Sequence, residues 1–268
     1  MVEQIILTAL DDVLLSVSDV VELETAADAY ERLKPVLTRL QALDVPVIVF
    51  SQRDRIELEP IFLKLGLSTP FIAESGSAIF TPADHNPFTP ALGERDDGYF
   101  VMSLGCPYVQ ARAGLRVIAN VISHPLKGFG DFTAPQLQRA ASLSETAAHQ
   151  AKAREFSEPF MTPKAVDPAV LQQAAEEMGF EVILRTAEES RFSELVGAGA
   201  GLGVAAREVI AAYQQQMEAD TVLKVVGMSN RSEDLSVLAA ASEQAGVEWK
   251  AMDVVGSEAW VEAISASF

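Results

Sequence analysis

With 268 residues, 49% of them hydrophobic, and a formal net charge of −18, the chain is long enough to bury one large core or two modest ones. That charge argues against nucleic acid and anionic membrane surfaces as partners, because phosphate binding draws on clustered Lys and Arg, which the sequence lacks. The single Cys106 excludes an intrachain disulfide, fits a reducing cytoplasm and reads as a small buried hydrophobe. No apolar run approaches ~18 residues, so no membrane-spanning helix is expected. The opening Met-Val-Glu-Gln lacks the positive segment of a secretory leader, and a cytoplasmic location follows as the expectation.

The first patterned stretch, Ile5-Ile6-Leu7-Thr8-Ala9-Leu10, ends in Asp11 and Asp12 and resumes as Val13-Leu14-Leu15. This predicts a buried strand opening into a loop, the edge where ligands sit in open α/β sheets. Residues 25–43 set Ala29, Leu33, Val36, Leu37 and Leu40 at helical spacing. A buried strand over 45–50 ends at Ser51, and a helix over 55–65 is stopped by Gly66. Residues 71–73 and 76–80 read as two strands around a turn. The β-α-β-α-β order predicts a parallel, right-handed sheet.

Residues 82–98, rich in Pro, Asp, Asn and Gly, read as a linker out of this first domain. Beyond it come a strand at 99–104, helices at 108–122, 134–141 and 145–153, a strand at 156–161, a helix at 168–178 and a strand at 180–185. Together they suggest an inserted α+β domain. The βα rhythm then returns, with strands at 191–196, 222–226 and 248–254 and helices at 204–217, 233–245 and 258–264. There is no internal repeat.

Thr8-Ala9-Leu10-Asp11-Asp12-Val13-Leu14-Leu15 resembles the first signature of haloacid-dehalogenase-type phosphatases, a strand followed by Asp-Leu-Asp-Gly-Thr-Leu-Leu. Further matches point to the mannosyl-3-phosphoglycerate phosphatase branch. Pro70-Phe71-Ile72-Ala73-Glu74-Ser75-Gly76-Ser77-Ala78-Ile79-Phe80 is similar to that family's Pro-Phe-Ile-Ala-Glu-Asn-Gly-Gly-Ala-Ile-Phe. Leu104 to Tyr108 match Leu-Gly-x-Pro-Tyr, and Gly128-Phe129-Gly130-Asp131-Phe132 resembles Gly-Phe-Gly-Asp-Met. Arg154-Glu155-Phe156-Ser157-Glu158-Pro159-Phe160 looks identical to its family counterpart. The resemblance runs over nearly the whole chain. It implies an α/β fold: a Rossmann-like core with a mostly parallel sheet at 1–84 and 190–268, and an inserted α+β cap of the C2 type at 85–189 that selects the substrate.

Four elements cooperate in such phosphatases. The first is a nucleophilic Asp that also binds magnesium, with a second Asp two residues later as acid and base. Here Ala9 stands for the nucleophile, and only the second survives, as Asp11. Asp12 and Val13 replace a glycine and a threonine, so the loop is bulkier and more negative, and paired carboxylates repel phosphate unless a cation intervenes. The second element, a Ser or Thr ending the next strand, matches Ser51, which fits a helix N-cap or turn equally well. The third, a lysine, is replaced by Leu202 in the run Gly197-Ala198-Gly199-Ala200-Gly201-Leu202-Gly203, which also lacks the residues of a nucleotide-binding loop. The fourth, an Asp completing the magnesium site, is replaced by Met228, whose thioether suits a hard cation poorly. Asp234 is a vestige of the last Asp of that loop, or simply a first-turn helix residue.

Losing one member of a catalytic unit typically costs roughly 10⁴ to 10⁶ in turnover, so an active phosphatase of the ordinary mechanism is not expected. Asp11, Ser51 and Asp234 are vestigial, and Ala9, Leu202 and Met228 mark the losses. The resemblance marks Asp131, Arg154, Glu155 and Arg191, with Ser51 and Gly76, as ligand-binding positions, and Glu158 is also retained. Arg154 and Arg191 suit a carboxylate or phosphate, or a structural ion pair such as one with a cap glutamate. His85, His124 and His149 lack metal-ligand spacing. The leading expectation is an inactive phosphatase scaffold without cofactor, binding a phosphorylated sugar acid or a protein partner. An active phosphatase using Asp11, Asp12 and Asp234 with Mg²⁺ is the alternative, and a homo-oligomerisation module the third option.

Overall fold

The computed structural model describes residues 2–16, 27–84, 88–185, 190–218 and 220–267. Strand β1 (Gln4–Ala9) is buried along almost its whole length, as a strand covered on both faces must be. Helix α1 (Ala27–Ala42) turns Ala29, Tyr30, Leu33, Leu37 and Leu40 inward, the three-and-four spacing of one helical face. Strand β2 (Val47–Phe50) leads to α2 (Arg55–Leu65). Asp54 caps α2 by accepting the Glu57 N–H at 3.0 Å, and Gly66 closes it at φ 71°, a left-handed conformation that favours glycine.

Strand β3 (Phe71–Ala73) runs parallel to β2, but β4 (Ala78–Pro82) pairs with β3 antiparallel. The sequence expectation of a parallel sheet therefore stops at β3. Only a short helical turn over Glu74–Gly76 joins the two strands, whereas a parallel crossover needs a dozen residues or more. Strands β5 (Glu94–Asp96) and β6 (Tyr99–Ser103) extend the same sheet. Part of the expected linker is thus a strand, and the strand expected to open the inserted domain pairs with β4 instead. Residues 25 and 26 of the expected first helix, and His85, lie outside the described residues.

Helix α3 (Tyr108–Val121) is followed by α4 (Ala134–Ala141), α5 (Glu145–Gln150), β7 (Ser157–Met161), α6 (Pro168–Glu177), β8 (Phe180–Ile183) and β9 (Phe192–Gly197). A three-stranded antiparallel sheet forms in the order β7-β9-β8. β9 therefore joins this smaller sheet, although the sequence expectation placed it with the returning core. Leu115, Ile118, Phe160, Leu171 and Leu195 pack into its own apolar cluster. The chain then re-enters the larger unit through α7 (Leu202–Gln214), β10 (Leu223–Ser229), α8 (Ser232–Ala241), β11 (Val247–Asp253) and α9 (Gly256–Ser267). Among the described residues the main sheet has the order β11-β10-β1-β2-β3-β4-β6-β5. Its first five strands are mutually parallel. No helix of the described residues is long and apolar enough to cross a membrane.

Candidate functional site

The strand order places the C-terminal ends of β10, β1 and β2 side by side. Thr8 pairs with Met228 on one side and Val49 on the other, and Ala9 pairs with Phe50. The remnant signatures therefore meet at one edge, where crossover connections leave a crevice in such sheets. Ala9 and Met228 are both buried, Met228 completely. The neighbouring Thr8 hydroxyl accepts the Trp260 indole N–H at 3.2 Å.

Asp11 follows β1 and is already engaged. The Ser51 hydroxyl donates to its Oδ2 at 2.8 Å, and Arg53 Nε donates to its Oδ1 at 2.9 Å. Arg53 also pairs with Glu57 at 2.9 Å. Burial opposes the Arg53 charge, yet the Asp11 and Glu57 carboxylates more than offset this and raise its pKa. The loop closes on itself, with Asp12 N–H given to the Leu15 carbonyl at 2.7 Å and Leu15 N–H to the Leu10 carbonyl at 3.1 Å. It is tied outward by Leu10 N–H to the Phe50 carbonyl at 3.1 Å and Gly256 N–H to the Asp12 carbonyl at 2.9 Å. Val13, Leu14 and Leu15 are buried in the main core, and Asp12 takes the left-handed φ of 59°.

Leu202 opens α7 and packs, half-buried, against the same core. Gly76 is buried against this turn and not laid open to a ligand. Its carbonyl accepts Gly201 N–H at 3.0 Å, and a Cβ on it would lie 2.2 Å from the Gly201 carbonyl carbon. Asp234 accepts the Ser229 hydroxyl at 2.8 Å.

Arg154 is buried, donating to Glu194 Oε1 at 3.0 Å and to the Gln52 carbonyl at 2.6 Å. One of its two readings from sequence, a structural ion pair with a glutamate, is present here. Glu155 pairs with Arg55 at 2.9 Å. Asp131 lies farther out, 3.4 Å from Arg112 and 3.3 Å from Arg116. Partial burial disfavours its charge, but the Gly128 N–H and the two guanidiniums hold its carboxyl below the ordinary range. Arg191 is exposed.

Four participants were not marked as site residues from sequence. Arg53 sits two residues beyond Ser51. Asp54 has the signal of an N-cap position. Glu74 and Ser157 lie inside the quoted motifs without an assigned role. Glu74 accepts the N–H groups of Glu155 and Phe156 at 2.9 and 3.1 Å.

Magnesium prefers octahedral oxygen ligands, and the donor set does not fit it. A methyl group and a thioether stand at two ligand positions, and Asp11 is neutralised by a guanidinium. Among the described residues no three His, Cys, Asp or Glu side chains gather as a metal site. Asp11, Asp12 and Asp234 thus do not form a rearranged metal cluster. A cavity of about 530 Å³ lies at the opposite end of the strands, lined by Lys34, Gln41, Pro46 and Thr69 among others, away from this chemistry.

No family model matches the chain. It is 28% identical over 234 residues, 87% of its own length and 81% of the relative's, to a glucosyl-3-phosphoglycerate/mannosyl-3-phosphoglycerate phosphatase of Persephonella marina. A protein of the same description from Methanococcoides burtonii is 33% identical over 49% of this chain and 48% of the relative. The mannosyl-3-phosphoglycerate phosphatase of Pyrococcus horikoshii is 31% identical over 47% of this chain and 50% of the relative. The chain thus spans about half the length of these last two curated relatives. Among solved structures, a haloacid dehalogenase-like hydrolase from B. subtilis superposes with a TM-score of 0.59 at 14% identity, covering 98% of this chain and 99% of that one. Another, from Bacteroides thetaiotaomicron, gives 0.55 at 14% identity over 99% of both chains. The chain thus shares the fold of haloacid dehalogenase-like hydrolases and is similar in sequence to mannosyl-3-phosphoglycerate phosphatases, with Ala9, Leu202 and Met228 at three of the signature positions.

Proposed function

We propose that the chain is a catalytically silent member of this phosphatase family that acts as a binding or regulatory protein, with another protein as its ligand. The observation that supports this most is the engagement of Asp11 by Arg53 and Ser51, beside the fully buried Met228. A phosphoryl group entering this edge would meet neither an attacking oxygen nor a metal. It would also find the Ser51 hydroxyl and the Arg53 guanidinium already donated to Asp11. Loss of charge-assisted donors removes the interactions that hold a phosphoryl group.

A second reading keeps a phosphorylated sugar acid as the ligand, in line with the substrates named in the relatives' descriptions. The observation favouring it is the group of Arg112 and Arg116 around Asp131, in the part of the chain bearing the smaller sheet. Calorimetric titration with glucosyl-3-phosphoglycerate, with and without Mg²⁺, separates the two. Absence of heat in both conditions is expected for the protein-ligand reading. Metal-independent binding, lost on Arg112→Ala, establishes the second reading, and binding that requires Mg²⁺ contradicts both.

A further inference from the structure

Between the two sheets lies a contact that sequence and comparisons leave unassigned. The Ser157 hydroxyl, wholly buried at the start of β7, is 2.6 Å from Glu74 Oε2 and 2.7 Å from Glu194 Oε1. A serine hydroxyl carries one hydrogen and can donate to only one of them. At these distances the other contact is either oxygen lone pair against lone pair or holds a second proton. The geometry of O–H···O bonds fits the second case.

The surroundings decide which carboxyl carries that proton. Glu194, on β9, receives two donors besides Ser157, Arg154 on Oε1 and the Ser75 hydroxyl on Oε2. Glu74, in the turn after β3, receives only the two amide N–H groups of Glu155 and Phe156 besides Ser157. The charged groups around it are Arg154 before β7, Glu194 on β9 and Asp54 ahead of α2, with Glu57 beyond them facing Arg154 and Asp54. Arg53 is turned to Asp11 and Glu57, and the Glu155 carboxylate points away to Arg55. Arg154 therefore faces several buried carboxylates at once.

We propose that a single proton on Glu74, relayed through Ser157 to Glu194, fastens the junction between the two sheets, and that its loss at higher pH loosens that junction. In the closed state Glu74 Oε2–H donates to Ser157 Oγ, and Ser157 Oγ–H donates to Glu194 Oε1. Deprotonation leaves two ionised carboxylates sharing one hydroxyl in a buried site, where like charges are poorly screened. Burial independently raises the Glu74 pKa, against the opposing influence of Arg154.

Carboxyl ¹³C shifts of the glutamate-labelled protein, followed from about pH 5 to about pH 9, test this directly, because ordinary glutamates ionise at ~4.3. Burial raises Glu158 as well as Glu74, so the Glu74 signal is the displaced resonance that Glu74→Gln removes. Glu194→Gln should increase the acidity of this carboxyl at least tenfold, an effect that burial alone does not produce. Beyond the ordinary base catalysis of exchange, the amides of Glu155 and Phe156 should gain up to a further tenfold per pH unit as pH rises toward that titration and level off above it in the wild type, and not in Glu74→Gln. If Glu74→Gln fails to fold, the shift of a displaced resonance on Glu194→Gln decides alone, since Glu194 faces Glu74 and not Glu158. Full ionisation of every glutamate by about pH 6, or no response to Glu194→Gln, overturns the proposal.

Discussion

Arg53 joins two carboxylates that would otherwise be charged and poorly hydrated: Asp11 from the loop after β1 and Glu57 from the first turn of α2. Removing one partner of a buried pair strands the other charge, an outcome costlier than never having built the pair. Arg53→Ala should therefore lower stability by roughly 3 kcal/mol, read as a shift in the denaturant midpoint. Arg53→Lys should recover only part of this, since an ammonium cannot reach Asp11 and Glu57 with the same planar fork. The substitution pattern at Ala9, Leu202 and Met228 was legible from the sequence, because it rests on residue identity within motifs. The role of Arg53 was not, because its partners lie 42 and 4 residues away along the chain, and no local pattern marks the first of these.

At the scale of elements, the turn between β3 and β4 and the start of α7 are fitted backbone to backbone at Gly76 and Gly201. Gly76 has a left-handed φ of +90° as well as no room for a Cβ. Gly76→Ala should cost roughly 3 kcal/mol from overpacking and backbone strain together, checked by equilibrium unfolding. The N-cap of α2 gives a pH prediction. Burial, partly countered by Arg154, pushes the Asp54 carboxyl up to about 7 from an ordinary 3.8. An acid raised in this way contributes stability fully below its unfolded-state pKa and loses that contribution as pH rises through its folded-state value. Melting temperature should thus fall from about pH 4 to about pH 7 and level off above that. Asp54→Asn keeps an oxygen for the Glu57 N–H and should flatten that dependence. Helix positions were read well from periodicity, α2 and α4 to the residue. Strand partners were not, since a short strand carries no record of its neighbour: β6 and β9 each joined the sheet opposite to expectation.

Across the whole molecule, two sheets meet along a seam of ionised and hydrogen-bonded side chains, with Arg154, Glu74, Ser157 and Glu194 at its centre. The fold of haloacid dehalogenase-like hydrolases is present, while the strand ends at its candidate site carry a methyl group, a thioether and an internal salt bridge. The central claim is that nothing remains there to attack phosphorus. Its most direct test is release of inorganic phosphate from glucosyl-3-phosphoglycerate and mannosyl-3-phosphoglycerate by protein freed of contaminating hydrolases, with Mg²⁺ in excess and Asp11→Asn as control. The account predicts a rate equal to the protein-free background for both wild type and variant. Magnesium-dependent turnover abolished by Asp11→Asn would contradict it.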